Sequence, residues 1–183
     1  MTSQTNRRDV IRLGAASAVA LATGGLTPRQ AHAQGAPIRM MGSKTVRLLK
    51  AFGEALVPGA EEAGIAHYVD AQLAKPPADS LLMIRYMDVP PPYDAFYEGG
   101  LAALDAGARS GYGAPFTDLD DDQRTAYIAA LSRETPQGWQ GPPSQLVYFV
   151  LRADAVDIVY GTEDGFERLG VPYMPHIYPE TKW

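Results

Sequence analysis

Four aspartates crowd one stretch of the chain: Asp118, Asp120, Asp121 and Asp122. Carboxylates spaced this way ligate calcium when a glycine at loop position 6 and a glutamate at position 12 complete the loop. Counted from Asp118, those positions hold Gln123 and Ala129, so the calcium loop fails. An acidic first turn on a helix dipole is the reading that remains. His67 and Asp70 stand three apart, a spacing that lets an imidazole and a carboxylate share a metal or a proton on one helix face. With no other histidine on that face and no cysteine, a surface pair is the plainer expectation. Asp154 and Asp157 repeat the spacing and could act as paired carboxylates. On an otherwise apolar helix they are expected to mark its outer stripe, or to bond an arginine such as Arg152 or Arg85. Serine, histidine and aspartate are all present, but no Gly-x-Ser-x-Gly elbow raises a nucleophile. No catalytic set emerges from these residues.

Cofactor motifs are equally sparse. The chain has no cysteine, which excludes disulfides, zinc knuckles, cysteine-ligated iron–sulfur clusters and covalent c-type haem. Gly111-Tyr112-Gly113 starts like a dinucleotide loop, but Ala114-Pro115-Phe116 follows and the third glycine is missing. No phosphate-loop lysine motif exists. The expectation is a chain that holds no cofactor and no metal. Its 183 residues suit one domain, and 46% hydrophobic with 20% charged residues is globular composition.

The first 33 residues read as an export leader. Arg7, Arg8 and Arg12 precede an uncharged run from Leu13 to Leu26, and Ala31-His32-Ala33 fits a small-x-small cleavage pattern ending before Gln34. Fourteen mildly apolar residues are too few to cross a hydrocarbon core about 30 Å thick. Asn6-Arg7-Arg8-Asp9-Val10-Ile11-Arg12 resembles the twin-arginine signal, which carries folded proteins to the periplasm; ordinary secretion is the alternative route. The site residues of export are therefore Arg7, Arg8, Ala31 and Ala33. Residues 1–33 hold four of the 16 cations and one of the 21 anions, which leaves 12 against 20 and a net charge of −8 for residues 34–183. That balance disfavours nucleic acid and anionic membrane faces.

Helical periods position the candidate residues. Ser43 can cap a helix to about Val57 with Leu48, Leu49, Phe52, Ala55 and Leu56 on one face. Glu61 and Glu62 suit the start of a second, running towards Ala74 and carrying His67 and Asp70. Asp79 can cap a short third through Tyr86. Residues 93–109 give the cleanest stripe, and Gly99-Gly100 within it predicts close approach of a neighbouring helix. Thr117 can start the next helix, with Asp120 three residues on. Ser144 to Tyr160 is apolar nearly all round and belongs at the centre of the bundle. The reading is an all-α fold: a single bundle of about six helices over residues 34–160, with an extended Pro/aromatic-rich tail over 161–183.

That tail carries Tyr173, Met174, Ile177, Tyr178 and Trp183 among Pro172, Pro175 and Pro179. Prolines forbid a helix across most of it. So many large apolar groups on an extended segment must cover something, either this chain's own bundle or a partner.

Leu56-Val57-Pro58-Gly59-Ala60-Glu61-Glu62-Ala63-Gly64-Ile65-Ala66, the run from Tyr97 through Gly100-Leu101-Ala102-Ala103-Leu104-Asp105, and Leu119 followed by Gln123 resemble the gluconate 2-dehydrogenase subunit 3 family. So do Gly161-Thr162 and Leu169-Gly170-Val171-Pro172-Tyr173-Met174-Pro175-His176-Ile177; where many members have a Tyr-Gly-Gly-Asn-like stretch, this chain has Tyr160-Gly161-Thr162-Glu163. The resemblance implies a non-catalytic small subunit of a periplasmic dehydrogenase complex. There a large FAD-containing subunit oxidises a sugar, sugar acid or alcohol, and a multihaem cytochrome c subunit passes electrons to the respiratory chain. It also implies that the small subunit bears the export signal and takes the folded flavoprotein with it. The alternative is a stand-alone exported binding protein for a small ligand or metal.

Overall fold

The computed structural model describes residues 25–133 and 135–172. Among them are seven α-helices and three 3-10 turns, with no strand. Helix α1 is Pro28–Ala33, α2 Ser43–Leu56, α3 Ile65–Leu73, α4 Asp94–Tyr112, α5 Asp121–Leu131, α6 Ser144–Tyr160 and α7 Glu163–Arg168. None of the described helices is long and apolar enough to cross a membrane.

Helix α2 buries Leu48, Leu49 and Phe52, as its apolar stripe requires. Ser43 is its first helical residue, and Gly42 takes the cap position without a side-chain bond. Residues 58–64 are a continuous turn segment, so α3 starts at Ile65 instead of Glu61. Gly59 and Gly64 have φ of 92° and 86°, a conformation that removes the cost of a Cβ and halts any earlier helix. Glu54 holds this turn by accepting from the N–H groups of Gly59 (2.9 Å) and Glu61 (3.0 Å).

The short third helix expected from Asp79 to Tyr86 is two 3-10 turns, Pro77–Asp79 and Met83–Tyr86, with extended backbone between them. Gln72 accepts the Leu81 N–H at 2.9 Å, and Tyr68 donates its hydroxyl to the Leu81 carbonyl at 3.2 Å. These bonds hold the link open so that Leu82 and Ile84 both plug the core. Side-chain partners here replace the helical ones.

Helix α4 buries Phe96, Tyr97, Leu101, Leu104 and Ala108. A Cβ on Gly100 would lie 2.9 Å from Val147 of α6, so the glycine sets the closeness of that crossing. Thr117 lies in the turn Phe116–Asp118, and α5 is capped by Asp120, whose carboxylate accepts from Gln123 N while Gln123 returns a bond to Asp120 N. Helix α6 contacts α2, α3, α4, α5, α7 and the Met83–Tyr86 turn, which puts it at the centre as its all-round apolarity suggests. Helix α7 occupies the start of the segment read as tail. Thr162 caps it by accepting from Gly165 N at 3.1 Å, and the prolines act only beyond it.

Candidate functional site

Each carboxylate singled out for chemistry has a definite position. Asp154 is fully buried in α6 and bonds no arginine. Its Oδ2 accepts the Tyr97 hydroxyl at 2.5 Å and its Oδ1 accepts the Met83 N–H at 2.9 Å. The outer-stripe expectation fails for this residue because the Met83–Tyr86 turn covers that side of α6. Burial pushes the Asp154 carboxyl up to about 7; the bonds from Met83 and Tyr97 pull it back, and Asp157 adds to the rise. Burial and the same carboxylate hold the Tyr97 phenol well above its ordinary value. Both oxygens are spent on positioning, so Asp154 fixes a turn and has no approach for a substrate. Asp157, one turn on, is exposed, and partial desolvation raises its carboxyl.

His67 and Asp70 bond separate partners, and Asp70 is buried rather than at the surface. Asp70 is buried and accepts from the N–H groups of Arg39 (3.0 Å to Oδ1) and Met40 (2.6 Å), which clasps residues 39–40 to α3. His67 Nε2 lies 3.0 Å from the Ala36 carbonyl, so Nε2 carries the proton, and buried Nδ1 has no partner among the described residues. Its ring meets His32 edge-on at 5.9 Å between centroids. Of the four clustered aspartates, Asp120 caps α5, Asp121 pairs with Arg124 at 3.5 Å and Asp118 accepts from Thr117. No group of three or more metal-ligating side chains occurs among the described residues.

Asp105 escaped the sequence reading. It is buried on α4, accepts from Phe116 N at 3.2 Å, and pairs with Lys44 at 2.9 Å and Arg109 at 3.4 Å. Burial raises its carboxyl, but Lys44, the Phe116 N–H and Arg109 outweigh that and leave it below the usual range. Its one sequence signal is a charge inside the α4 stripe.

The open feature is a groove of about 810 Å³ between α3, the Met83–Tyr86 turn, the end of α6 and α7. Tyr68, Met83 and Ile158 give it an apolar floor, and Asp157, Glu163 and Asp164 an acidic side. Two cations line it: Arg168 donates to the Val159 carbonyl at 2.7 Å and the Asp164 carbonyl at 3.3 Å, and Arg29 pairs with Glu62 and lies 3.8 Å from Asp164. Burial and the nearby Asp154 and Asp157 hold the Tyr68 phenol far above its ordinary value, so it stays a neutral donor. The groove offers shape and an acidic side that Arg29 partly neutralises, and such a combination suits a cationic and apolar surface where the arginine is displaced. A second hollow of about 580 Å³ lies between Glu54, Pro58, Arg124 and Tyr148.

Ala31 and Ala33 of the expected cleavage pattern stand on α1, whose first residues and their cap, Thr27, Pro28 and Arg29, line the groove. Arg7 and Arg8 lie outside the described residues, as do Tyr173, Met174, Ile177, Tyr178 and Trp183.

The model of one protein family, described as Gluconate 2-dehydrogenase subunit 3, matches residues 43–179, about three quarters of the chain. No curated protein and no solved structure matches it.

Proposed function

The chain belongs to the gluconate 2-dehydrogenase subunit 3 family, and we propose that it is the non-catalytic small subunit of a periplasmic, FAD-dependent sugar, sugar-acid or alcohol dehydrogenase complex. The observation that carries this reading is the match across residues 43–179, which takes in α2 through α7. The geometry supports it: Asp70, Asp105, Asp120 and Asp154 all hold backbone or side chains of the fold in place. In this reading the flavin chemistry belongs to the large subunit and haem c to a third. The small subunit stabilises the flavoprotein, and its Arg7-Arg8 signal takes that folded partner through the twin-arginine route.

Co-expression of the full chain with the flavoprotein subunit tests this. The expected result is co-purification of the two, with the flavin absorbance travelling in the same fraction. Replacing Arg7 and Arg8 by Lys is expected to strand both proteins in the cytoplasm. If the chain stays monomeric beside the flavoprotein yet takes up a small ligand or metal, the stand-alone binding protein is the correct reading.

A further inference from the structure

The expected leader does not end clear of the fold. Residues 27–33 form a capped helix lying on the body: Thr27 accepts from Gln30 N at 3.2 Å, Gln30 returns a bond to Thr27 N at 3.1 Å, and α1 packs on α3. The Pro28 carbonyl sits where a Gly64 side chain would begin, 2.1 Å from an ideal Cβ, so backbone meets backbone there. Arg29 reaches between two carboxylates of the body, pairing with Glu62 and lying 3.8 Å from Asp164. His32 covers the His67 ring. The small-x-small triplet forms the C-terminal half of this helix, with Ala33 and Gln34 exposed. A six-residue helix held by exposed pairs is marginal and easily unwound.

Resting on the subunit reading above, the geometry points to Thr27–Ala33 as a removable placeholder on a docking face. Leader cleavage before Gln34 vacates that face, and an arginine-bearing segment of the flavoprotein subunit takes it. Charge complementarity identifies the occupant. Cleavage removes Arg29, the cation that pairs with both Glu62 and Asp164. Arg168, the other cation of the groove, is turned to the Val159 and Asp164 carbonyls, Lys44, Lys50 and Arg124 pair with other carboxylates, and residues 34–183 carry a net charge of −8, which favours a replacement cation supplied by a partner. The vacated strip runs into the groove and reaches Leu81 and Tyr86, 54% and 61% exposed, which give the incoming segment apolar contact beyond its arginine. The bare Gly64 admits a close backbone, as Pro28 and Arg29 now show. The residues on the mature side of the cut stay attached, because His67 holds Ala36 and Asp70 holds Arg39 and Met40.

The test compares two forms of the full chain: the precursor, retained in the cytoplasm by Arg7→Lys and Arg8→Lys, and the exported, processed protein. The processed protein is expected to begin at Gln34. A synthetic peptide of residues 25–33 is expected to bind it about tenfold more tightly than the same peptide with Arg29→Glu. The processed form is expected to bind the flavoprotein about tenfold more tightly than the precursor, and Glu62→Arg with Asp164→Arg to erase that gain at unchanged melting temperature. An exported chain beginning at or before Thr27 overturns the proposal. Equal, measurable binding of both forms also overturns it and leaves the subunit reading standing. If neither form binds the flavoprotein, the subunit reading and the occupant fall together. A processed chain that pairs with itself through this face, and is dissociated by the peptide, overturns the occupant by assigning the face to a second copy.

Discussion

Asp154 of α6 accepts the hydroxyl proton of Tyr97 of α4 at 2.5 Å, inside the core, while its second oxygen holds the Met83 N–H. One carboxyl thereby joins two helices and the turn that carries Ile84 into the interior. Its burial sets a sign for pH. The folded carboxyl titrates near 7, above its ordinary value of 3.8, so the native state binds the extra proton between those values. Its contribution is full below the unfolded value and is lost as pH rises through the folded one.

The first prediction follows from that sign. Asp154→Asn keeps the shape and an acceptor but removes the titration. Wild type is expected to lose stability relative to Asp154→Asn as pH rises from about 4 to about 7. Asp157 and the Tyr68 and Tyr97 phenols stay in both proteins, so the difference between the two melting curves isolates Asp154. A difference that is flat across this range would show that Asp154 does not titrate there. Asp154→Ala leaves the Tyr97 hydroxyl and Met83 N–H without partners, and is expected to cost about 2–4 kcal/mol at pH 5 in a denaturant melt.

Asp105 runs in the opposite direction. Its carboxyl lies below the usual range, so its contribution is present above the unfolded value and is lost as pH falls through the folded one. Asp105→Asn is expected to flatten the acid limb of the stability profile. Asp105→Ala should cost about 1–3 kcal/mol, because it orphans the buried Phe116 N–H. Lys44 is 64% exposed, so Lys44→Ala should cost less than about 1 kcal/mol. Equal losses in the two alanine variants would mean that the ion pair, not the Phe116 bond, is what matters.

The third prediction sets one glycine of α4 against another. A Cβ on Gly107 would lie 2.1 Å from the Tyr127 hydroxyl, which donates to the Leu104 carbonyl at 2.9 Å. Gly107→Ala must displace that ring, and is expected to destabilise by about 1–3 kcal/mol. Gly111 lies on the same helix with nothing within 4 Å of its Cβ position. Gly111→Ala should stabilise by about 0.5–1 kcal/mol through helix propensity. Thermal melts of the two variants should shift in opposite directions, and a shared sign would contradict the packing described around Tyr127.

Sequence pattern showed the frame better than the joints. Ser144–Tyr160 has the bounds that Pro143 and Gly161 suggest, and its central place follows from apolar residues on every side. The same all-round apolarity hid Asp154: with no polar face for contrast, periodicity could not say which side of α6 the Met83–Tyr86 turn would cover. The Ser80–Leu82 link was hidden for a related reason. Its stability comes from Gln72, Tyr68 and Asp154, residues 9 to 71 positions from the groups they bond, and no local pattern records such bonds. Gly100 was legible because a glycine inside a strong stripe has few other uses. The groove itself is assembled from four separate stretches, so no single motif could reveal it.

The last prediction concerns the clasp that keeps residues 36–42 in place. Asp70 is buried on α3 and takes both main-chain N–H groups of Arg39 and Met40, seating Met41 in the core. A carboxylate that accepts backbone bonds in a protected site stabilises more than an amide does, because its charge shortens and strengthens each bond. Asp70→Asn presents one carbonyl oxygen and directs an N–H group at donors, so at least one main-chain bond is lost. The expected cost is about 1–3 kcal/mol, concentrated on residues 36–42 and not spread over the bundle. Exposed Arg39 then becomes a cutting site: trypsin should cleave after it faster in Asp70→Asn than in wild type, while the amides of α6 keep their exchange protection. His67→Phe loses only the Ala36 contact and should loosen the segment less. Unchanged cleavage after Arg39 in Asp70→Asn would show that Met41 alone anchors the strand and that the carboxylate is incidental.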